Sequence, residues 1–221
     1  MKKVLIATPS YDGRLDVWYT NALLRTVVLG LQNDVEFIPV FMSYDALIQR
    51  SRNDLVGIAV ENSFDGVLWI DSDMEWQPEW ALEAVKSGKD VLGLPVVKKA
   101  IEEQYNVKID PKDLTPDEEG FIEVESVGTG FLYWSKAALD HLWDNSEAYV
   151  HNGQDRRWVF EVKIQNGDII SEDVLACQKL RDGGFKVFID STKTCNHIGT
   201  LKFTGDFANF AAIVRAANEE N

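Results

Sequence analysis

The apolar run Gly66-Val67-Leu68-Trp69-Ile70 stops abruptly at Asp71-Ser72-Asp73. An apolar, partly β-branched run without alternation predicts a strand covered on both faces, as in mostly parallel sheets with helices on either side. The carboxyl end of such a strand opens on the crevice where α/β folds bind ligands. Two carboxylates spaced i, i+2 at that position are hard oxygen donors, able to hold Mg²⁺ or Mn²⁺ against a substrate phosphate. The pair also suits a solvated turn or helix cap, because Gln77-Pro78-Glu79 just beyond reads as a helix start.

The surrounding chain agrees with an α/β fold. Val4 to Thr8 reads as a first buried strand closed by Pro9 and the turn residues Ser10 to Gly13. Val17, Leu23, Leu24, Val27, Val28 and Leu31 then recur at helical spacing, and Val35 to Phe41 gives a second strand. Ser43 is the expected N-cap of a helix carrying Leu47, Ile48, Leu55 and Ile58 on one side. Pro78 to Lys86 reads as helix and Val91 to Val97 as strand. This alternation predicts one Rossmann-like domain over 1–221, with a mostly parallel central sheet flanked by helices. Its first half, over 1–97, has the pattern of a nucleotide-binding parallel sheet, followed by a second half over 121–221.

With 221 residues and 45% hydrophobic content, the chain can bury a substantial core. Its net charge of −14 disfavours nonspecific attraction to nucleic acid or anionic membrane. Between Ile101 and Glu125 there are nine acidic residues against Lys108 and Lys112, a local net of −7, which reads as a solvated excursion or a mobile lid. Cys177 and Cys195 lack metal-ligand spacing and a disulfide framework, so reduced thiols and a cytoplasmic location are expected. No segment is long and apolar enough to span a bilayer.

Three further segments carry possible chemistry. In Gly128-Thr129-Gly130 two glycines permit close backbone approach to a ligand, or simply a tight turn between Phe121–Val127 and Phe131–Trp134. Ser171-Glu172-Asp173 opens a helix: Ser171 suits its cap and the acids suit its dipole, while a carboxylate fixed there also suits a general base. His197 lies in a polar loop beyond the strand Lys186 to Ile189, topologically equivalent to the Asp71/Asp73 position, and neutral imidazole is a common metal ligand. Trp158 to Ile164 reads as a strand leading to a hairpin turn at Asn166-Gly167, a candidate flap. Trp134, Trp158 and Tyr149 could supply an aromatic platform, with core packing favoured for Trp134. The basic pairs Arg156-Arg157 and Lys98-Lys99 read as solvated surface ahead of phosphate contacts.

In order, Asp71-Ser72-Asp73, Gly128-Thr129-Gly130, Ser171-Glu172-Asp173 and His197 with Gly199 resemble the motif set of GT-A fold glycosyltransferases. More locally, Thr8-Pro9-Ser10-Tyr11 resembles the first-strand end of family 2 members. Arg50-Ser51-Arg52-Asn53, and His197-Ile198-Gly199-Thr200 with Gly205-Asp206-Phe207, resemble small stand-alone bacterial and phage members, whose setting would be the host cytoplasm.

The resemblance implies a metal-dependent hexosyl- or pentosyltransferase using Mn²⁺ or Mg²⁺ and a nucleoside diphosphate sugar, UDP-linked as the first expectation. It assigns Asp73 and His197 to the metal and Asp71 to the ribose or, through water, the metal. Pro9 and Tyr11 would border the nucleobase, and Arg52 would approach the diphosphate or base. Gly128, Thr129 and Gly130 would border donor sugar and acceptor. Asp173, beside Glu172, would be the catalytic base of an inverting displacement. A Gln-x-x-Arg-Trp signature of processive synthases is absent at its usual place; Gln154-Asp155-Arg156-Arg157-Trp158 precedes Ser171-Glu172-Asp173 rather than following it. The acceptor stays open among a glycan, a lipid-linked sugar, a protein side chain and a hydroxylated DNA base, and the last would require base exposure. A nucleotidyltransferase and a noncatalytic nucleotide-sugar binder are the other classes, although Thr8 to Gly13 lacks the glycine-rich basic loop of the former.

Overall fold

The computed structural model describes residues 1–100, 102–199 and 201–219. Ile101 and Thr200, both within segments singled out by the sequence, lie outside the described residues.

The first half runs β1 (Lys2–Ser10), α1 (Val17–Leu31), β2 (Val35–Ser43), α2 (Ile48–Glu61), β3 (Gly66–Ile70), β4 (Met74–Glu75), α3 (Pro78–Lys86) and β5 (Val91–Gly93). Short strands β6 (Val107–Lys108), β7 (Phe121–Glu123) and β8 (Ser126–Val127) precede β9 (Phe131–Ser135) and α4 (Lys136–Asp144). Two hairpins follow, β10 (Ala148–His151) with β11 (Gln154–Arg157) and β12 (Lys163–Gln165) with β13 (Asp168–Ile170). The chain continues through α5 (Glu172–Asp182), β14 (Val187–Asp190), β15 (Asn196–Ile198), β16 (Lys202–Phe203) and α6 (Phe207–Glu219).

The central sheet has seven strands in the order β2-β1-β3-β9-β5-β14-β7. All run in one direction except β9 and β7, which are antiparallel to their neighbours. Successive residues of β1, β3 and β9 alternate between two cores, as the pleat requires. Leu5, Ala7, Val67, Trp69, Leu132 and Trp134 face α2, α4, α5 and α6. Val4, Ile6, Leu68, Ile70, Phe131 and Tyr133 face α1 and α3. The sequence-derived expectation of an α/β fold with a mostly parallel, helix-flanked sheet is therefore met.

Several local expectations are corrected. Ser43 ends β2 and does not cap α2. The N-cap position is Leu47, and Asp45 organises the turn by accepting the Leu47 N–H (2.9 Å) and pairing with Arg50 (2.6 Å). Leu47 and Ile48 are exposed, and α2 instead buries Ser51, Arg52, Asn53 and Asp54 in its first half. On α1 the core face is Tyr19, Ala22, Leu23, Thr26 and Gly30, while Val17, Leu24, Val28 and Leu31 point outward. Helical spacing identified the helix, but both of its faces are apolar.

The acidic segment is not simply a solvated excursion. Its apolar residues point inward, with Tyr105 and Leu114 buried and Tyr105 edge-on to Phe207 of α6 at 4.9 Å. β7 within it closes one edge of the central sheet. Trp158 to Glu161 is irregular rather than extended, for a specific reason. Asn53 takes both backbone groups of Phe160, accepting its N–H (2.8 Å) and donating to its carbonyl (2.9 Å). Phe160 is thereby wedged between Trp69 and Trp134, with centroids 4.9 and 5.3 Å away. Asn53→Ala would orphan these two buried groups at about 1–3 kcal/mol each, read as a lower urea midpoint.

Arg156 is buried rather than solvated, and Arg157 lies over the Trp143 ring at 5.5 Å. Trp134 belongs to the core, whereas Tyr149 and Trp158 pack edge-on, half-buried, at 5.5 Å. Asn166 and Gly167, at φ 52° and 90°, form the anticipated hairpin turn. Both cysteines are free and buried, and burial pushes the Cys177 thiol up to about 12. Among the described residues no helix is long and apolar enough to cross a membrane.

Candidate functional site

Sheet registers bring the separated motifs to one end of the sheet. Because Ile70 pairs with Phe131, the next residues, Asp71 and Gly130, leave β3 and β9 side by side. Ala7 pairs with Trp69 in parallel, so extending that register puts Pro9 level with Asp71. Asp16, beyond the turn containing Tyr11, donates its N–H to the Ser72 carbonyl (3.1 Å) and ties the first loop to the acidic one. β15 pairs with β4 so that His197 opposes Met74, and the Ile198 N–H bonds the Asp73 carbonyl at 2.8 Å. The carboxy-terminal histidine thus reaches the loop after β3 through a small antiparallel sheet that local sequence patterns do not announce.

Two polar clusters result. In the first, Arg52 is 4% exposed; it donates through Nη2 to Asp71 Oδ1 at 3.1 Å and through Nη1 to Glu172 Oε1. Its guanidinium lies 5.6 Å from the centre of the Phe160 ring, and its Nε is buried without a hydrogen-bond partner among the described residues. Arg52 therefore bridges the loop after β3 and the first turn of α5. In the second cluster, Asp73 Oδ2 lies 2.6 Å from Lys99 Nζ and 3.3 Å from His197 Nε2. His197 Nδ1 lies 3.1 Å from the Val97 carbonyl, which can only accept, so Nδ1 carries a proton and Nε2 is the nitrogen that faces Asp73. Burial would raise the Asp73 carboxyl, but the His197 and Lys99 contacts outweigh it and hold it below its usual 3.8. The stabilisation from its ionised form is complete above that usual value and is lost as pH falls through the lower folded one.

The remaining residues are placed as follows. Asp173 sits in the first turn of α5, where its Oδ1 accepts the Val174 N–H (2.8 Å) and the Ser171 hydroxyl. Ser171 occupies the N-cap position without a side-chain capping bond. Pro9 is buried, and Tyr11 is 74% exposed. Thr129 is buried between two glycines that are hemmed in by protein. A Cβ on Gly128 would stand 2.5 Å from Asn106 Nδ2, and one on Gly130 3.1 Å from Val96 Cγ2. On the side where a side chain would point, these glycines are packed against Asn106 and Val96.

Asp73 offers a hard carboxylate oxygen of the kind Mn²⁺ and Mg²⁺ take, with an imidazole nitrogen of His197 beside it. Asp71 is turned toward Arg52, and among the described residues no three His, Cys, Asp or Glu side chains form a ligand set. The cation on Asp73 is Lys99, which is exposed as the sequence suggested and yet pairs with this carboxylate. The available signal was its position just after the apolar run Val91 to Val97, the same place in the fold as Asp71 after β3.

Sheet order, helix layers and the site at the strand ends define a Rossmann-like α/β fold. No protein-family model matches the sequence, and no curated protein does. Among solved structures, the chain is similar to A197 from STIV at TM-score 0.57 and 17% identity, over 90% of this chain and 86% of that one, a likeness of fold alone. A glycosyltransferase involved in the glycosylation of the major capsid of PBCV-1 matches 63% of each chain at TM-score 0.34 and 12% identity, too distant to carry an argument.

Proposed function

We propose that this chain is a metal-dependent glycosyltransferase that moves a sugar from a nucleoside diphosphate sugar, UDP-linked in the first instance, to an acceptor hydroxyl with inversion. The reading rests on one observation: Arg52 ties Asp71 to Glu172, and beside them Asp73 meets His197, so motifs spread from residue 52 to residue 197 converge at the sheet's carboxyl end.

In this reading Pro9 and Tyr11 border the nucleobase, Asp71 meets the ribose, and Gly128 to Gly130 border the donor sugar. Asp73 and His197 hold Mn²⁺ or Mg²⁺, which when bound supplies neutralising charge to the diphosphate leaving group. The Asp173 carboxylate takes the acceptor hydroxyl's proton as that oxygen bonds the anomeric carbon and the anomeric C–O bond to the β-phosphate breaks. Arg52, held by two carboxylates, positions both sides of the crevice. The net charge of −14 favours a glycan or protein acceptor over DNA.

Thermal stability with a panel of nucleoside diphosphates and nucleotide sugars, with and without Mn²⁺, tests the donor site. One nucleotide at a hundredfold its dissociation constant is expected to add about 2.7 kcal/mol, more effectively with metal, and to lose that effect in Asp73→Ala and His197→Ala. Folded protein stabilised by no member of the panel would sink the proposal.

A further inference from the structure

Lys99 stands on the segment following β5, in a stretch fixed by three contacts. The Lys98 N–H bonds the Gln104 carbonyl at 2.7 Å, Val97 bridges Tyr105, and the Val97 carbonyl takes His197 Nδ1. The same residue that holds His197 Nδ1 is thus two positions from Lys99. The lysine stem passes over Gly199: a Cβ there would lie 3.4 Å from both Cδ and Cε of Lys99, so any side chain beyond a methyl would crowd it. Its ammonium ends 2.6 Å from Asp73 Oδ2, the oxygen that also faces His197 Nε2. Most lysine–carboxylate pairs at a surface contribute little. This one differs because its carboxylate oxygen is also the one that faces His197 Nε2, so the ammonium occupies ground that a divalent ion held by both residues would need.

We propose that Lys99 is a built-in counter-cation that exchanges with a divalent metal at Asp73, and that in metal-free protein it supplies the positive charge that receives a diphosphate. The inference deepens the donor-site reading above and rests on it. A primary ammonium and a divalent ion cannot both lie at contact distance from one carboxylate oxygen without strong repulsion. A divalent ion held by Asp73 Oδ2 and His197 Nε2 therefore takes the place of the ammonium, whereas in metal-free protein the ammonium stays beside Asp73 with further N–H donors to offer phosphate oxygens.

Titration calorimetry with MnCl₂ alone and with UDP alone, on wild type, Lys99→Met, Lys99→Arg, Asp73→Asn and the Asp73→Asn, Lys99→Met double variant, tests it. Lys99→Met is expected to bind Mn²⁺ at least tenfold more tightly than wild type and metal-free UDP at least tenfold more weakly. Lys99→Arg should keep metal-free UDP binding, and Asp73→Asn should weaken Mn²⁺ binding whether Lys99 is retained or replaced by methionine. Equal Mn²⁺ affinity in wild type and Lys99→Met, with UDP plus Mn²⁺ still bound, would overturn the exchange while leaving the donor site standing. Unchanged metal-free UDP affinity in Lys99→Met would likewise remove Lys99 from the phosphate. Failure of every folded variant to bind Mn²⁺ or any nucleoside diphosphate would take down this inference together with the reading beneath it.

Discussion

Asp173→Asn is expected to bind nucleotide as wild type does and to turn over about 10²–10⁴-fold more slowly. The substitution isolates basicity from structure. Asp173 Oδ1 accepts the Val174 N–H and the Ser171 hydroxyl, and an asparagine carbonyl oxygen can accept both, so the first turn of α5 should persist. What asparagine cannot do is take a proton from an attacking hydroxyl. Steady-state transfer measured beside nucleotide affinity separates the outcomes. Equal turnover would remove Asp173 as the base. Nucleotide binding without transfer in wild type, whichever acceptors are supplied, would favour a noncatalytic binder.

The largest expected loss of stability is at a residue outside the crevice. Arg156 is 2% exposed and donates Nε to Asp54 Oδ1 (2.9 Å), Nη1 to Glu61 Oε1 (2.7 Å) and to the Asp155 carbonyl (2.9 Å), and Nη2 to Gln154. It lies flat on α2 because Gly57 has no side chain; a Cβ there would come within 2.8 Å of Nη1. Arg156→Leu would leave Asp54 buried with His151 beside it at 2.9 Å, and removing one member of a buried pair costs about 3–5 kcal/mol. A urea titration should show a lower midpoint with an unchanged slope. Adding Asp54→Ala should restore part of the loss, because the stranded charge goes with it. A loss under about 1 kcal/mol in the single variant, the range of exposed pairs, would show that the pair is solvated in solution.

These two residues mark what the sequence discloses. Asp173 was legible because its neighbours Ser171 and Glu172 and the following apolar run announce a helix start within a few positions. Arg156 was not, since its partner Asp54 stands 102 residues away and Arg156-Arg157 has the composition of a solvated surface. Strands β1 and β3 and helix α3 were readable from continuous apolar runs and a proline at the helix start, because these signals are local. Which face of α1 turns inward was not, because Leu24 and Val28 outside match Leu23 and Ala22 inside in character. At the site, Asp71 and Gly130 meet because β3 pairs with β9, and His197 joins them because β15 pairs with β4. The partners they choose depend on distant chain, so Arg52 on Glu172 and Lys99 on Asp73 emerge only with the fold.

The position of β9 has a consequence for synthesis. In the finished sheet this strand separates β3 from β5, although both precede it by more than thirty residues. While a ribosome has released only the segments through β5, the edges of β3 and β5 have no strand between them, and open edges invite wrong pairing. Insertion of Phe131–Ser135 joins the two parts of the sheet and delivers the glycine loop beside Asp71 in the same event. A nascent chain stopped before that point holds Pro9 and Asp71 without the strand beside them, so the sheet and the candidate site form together.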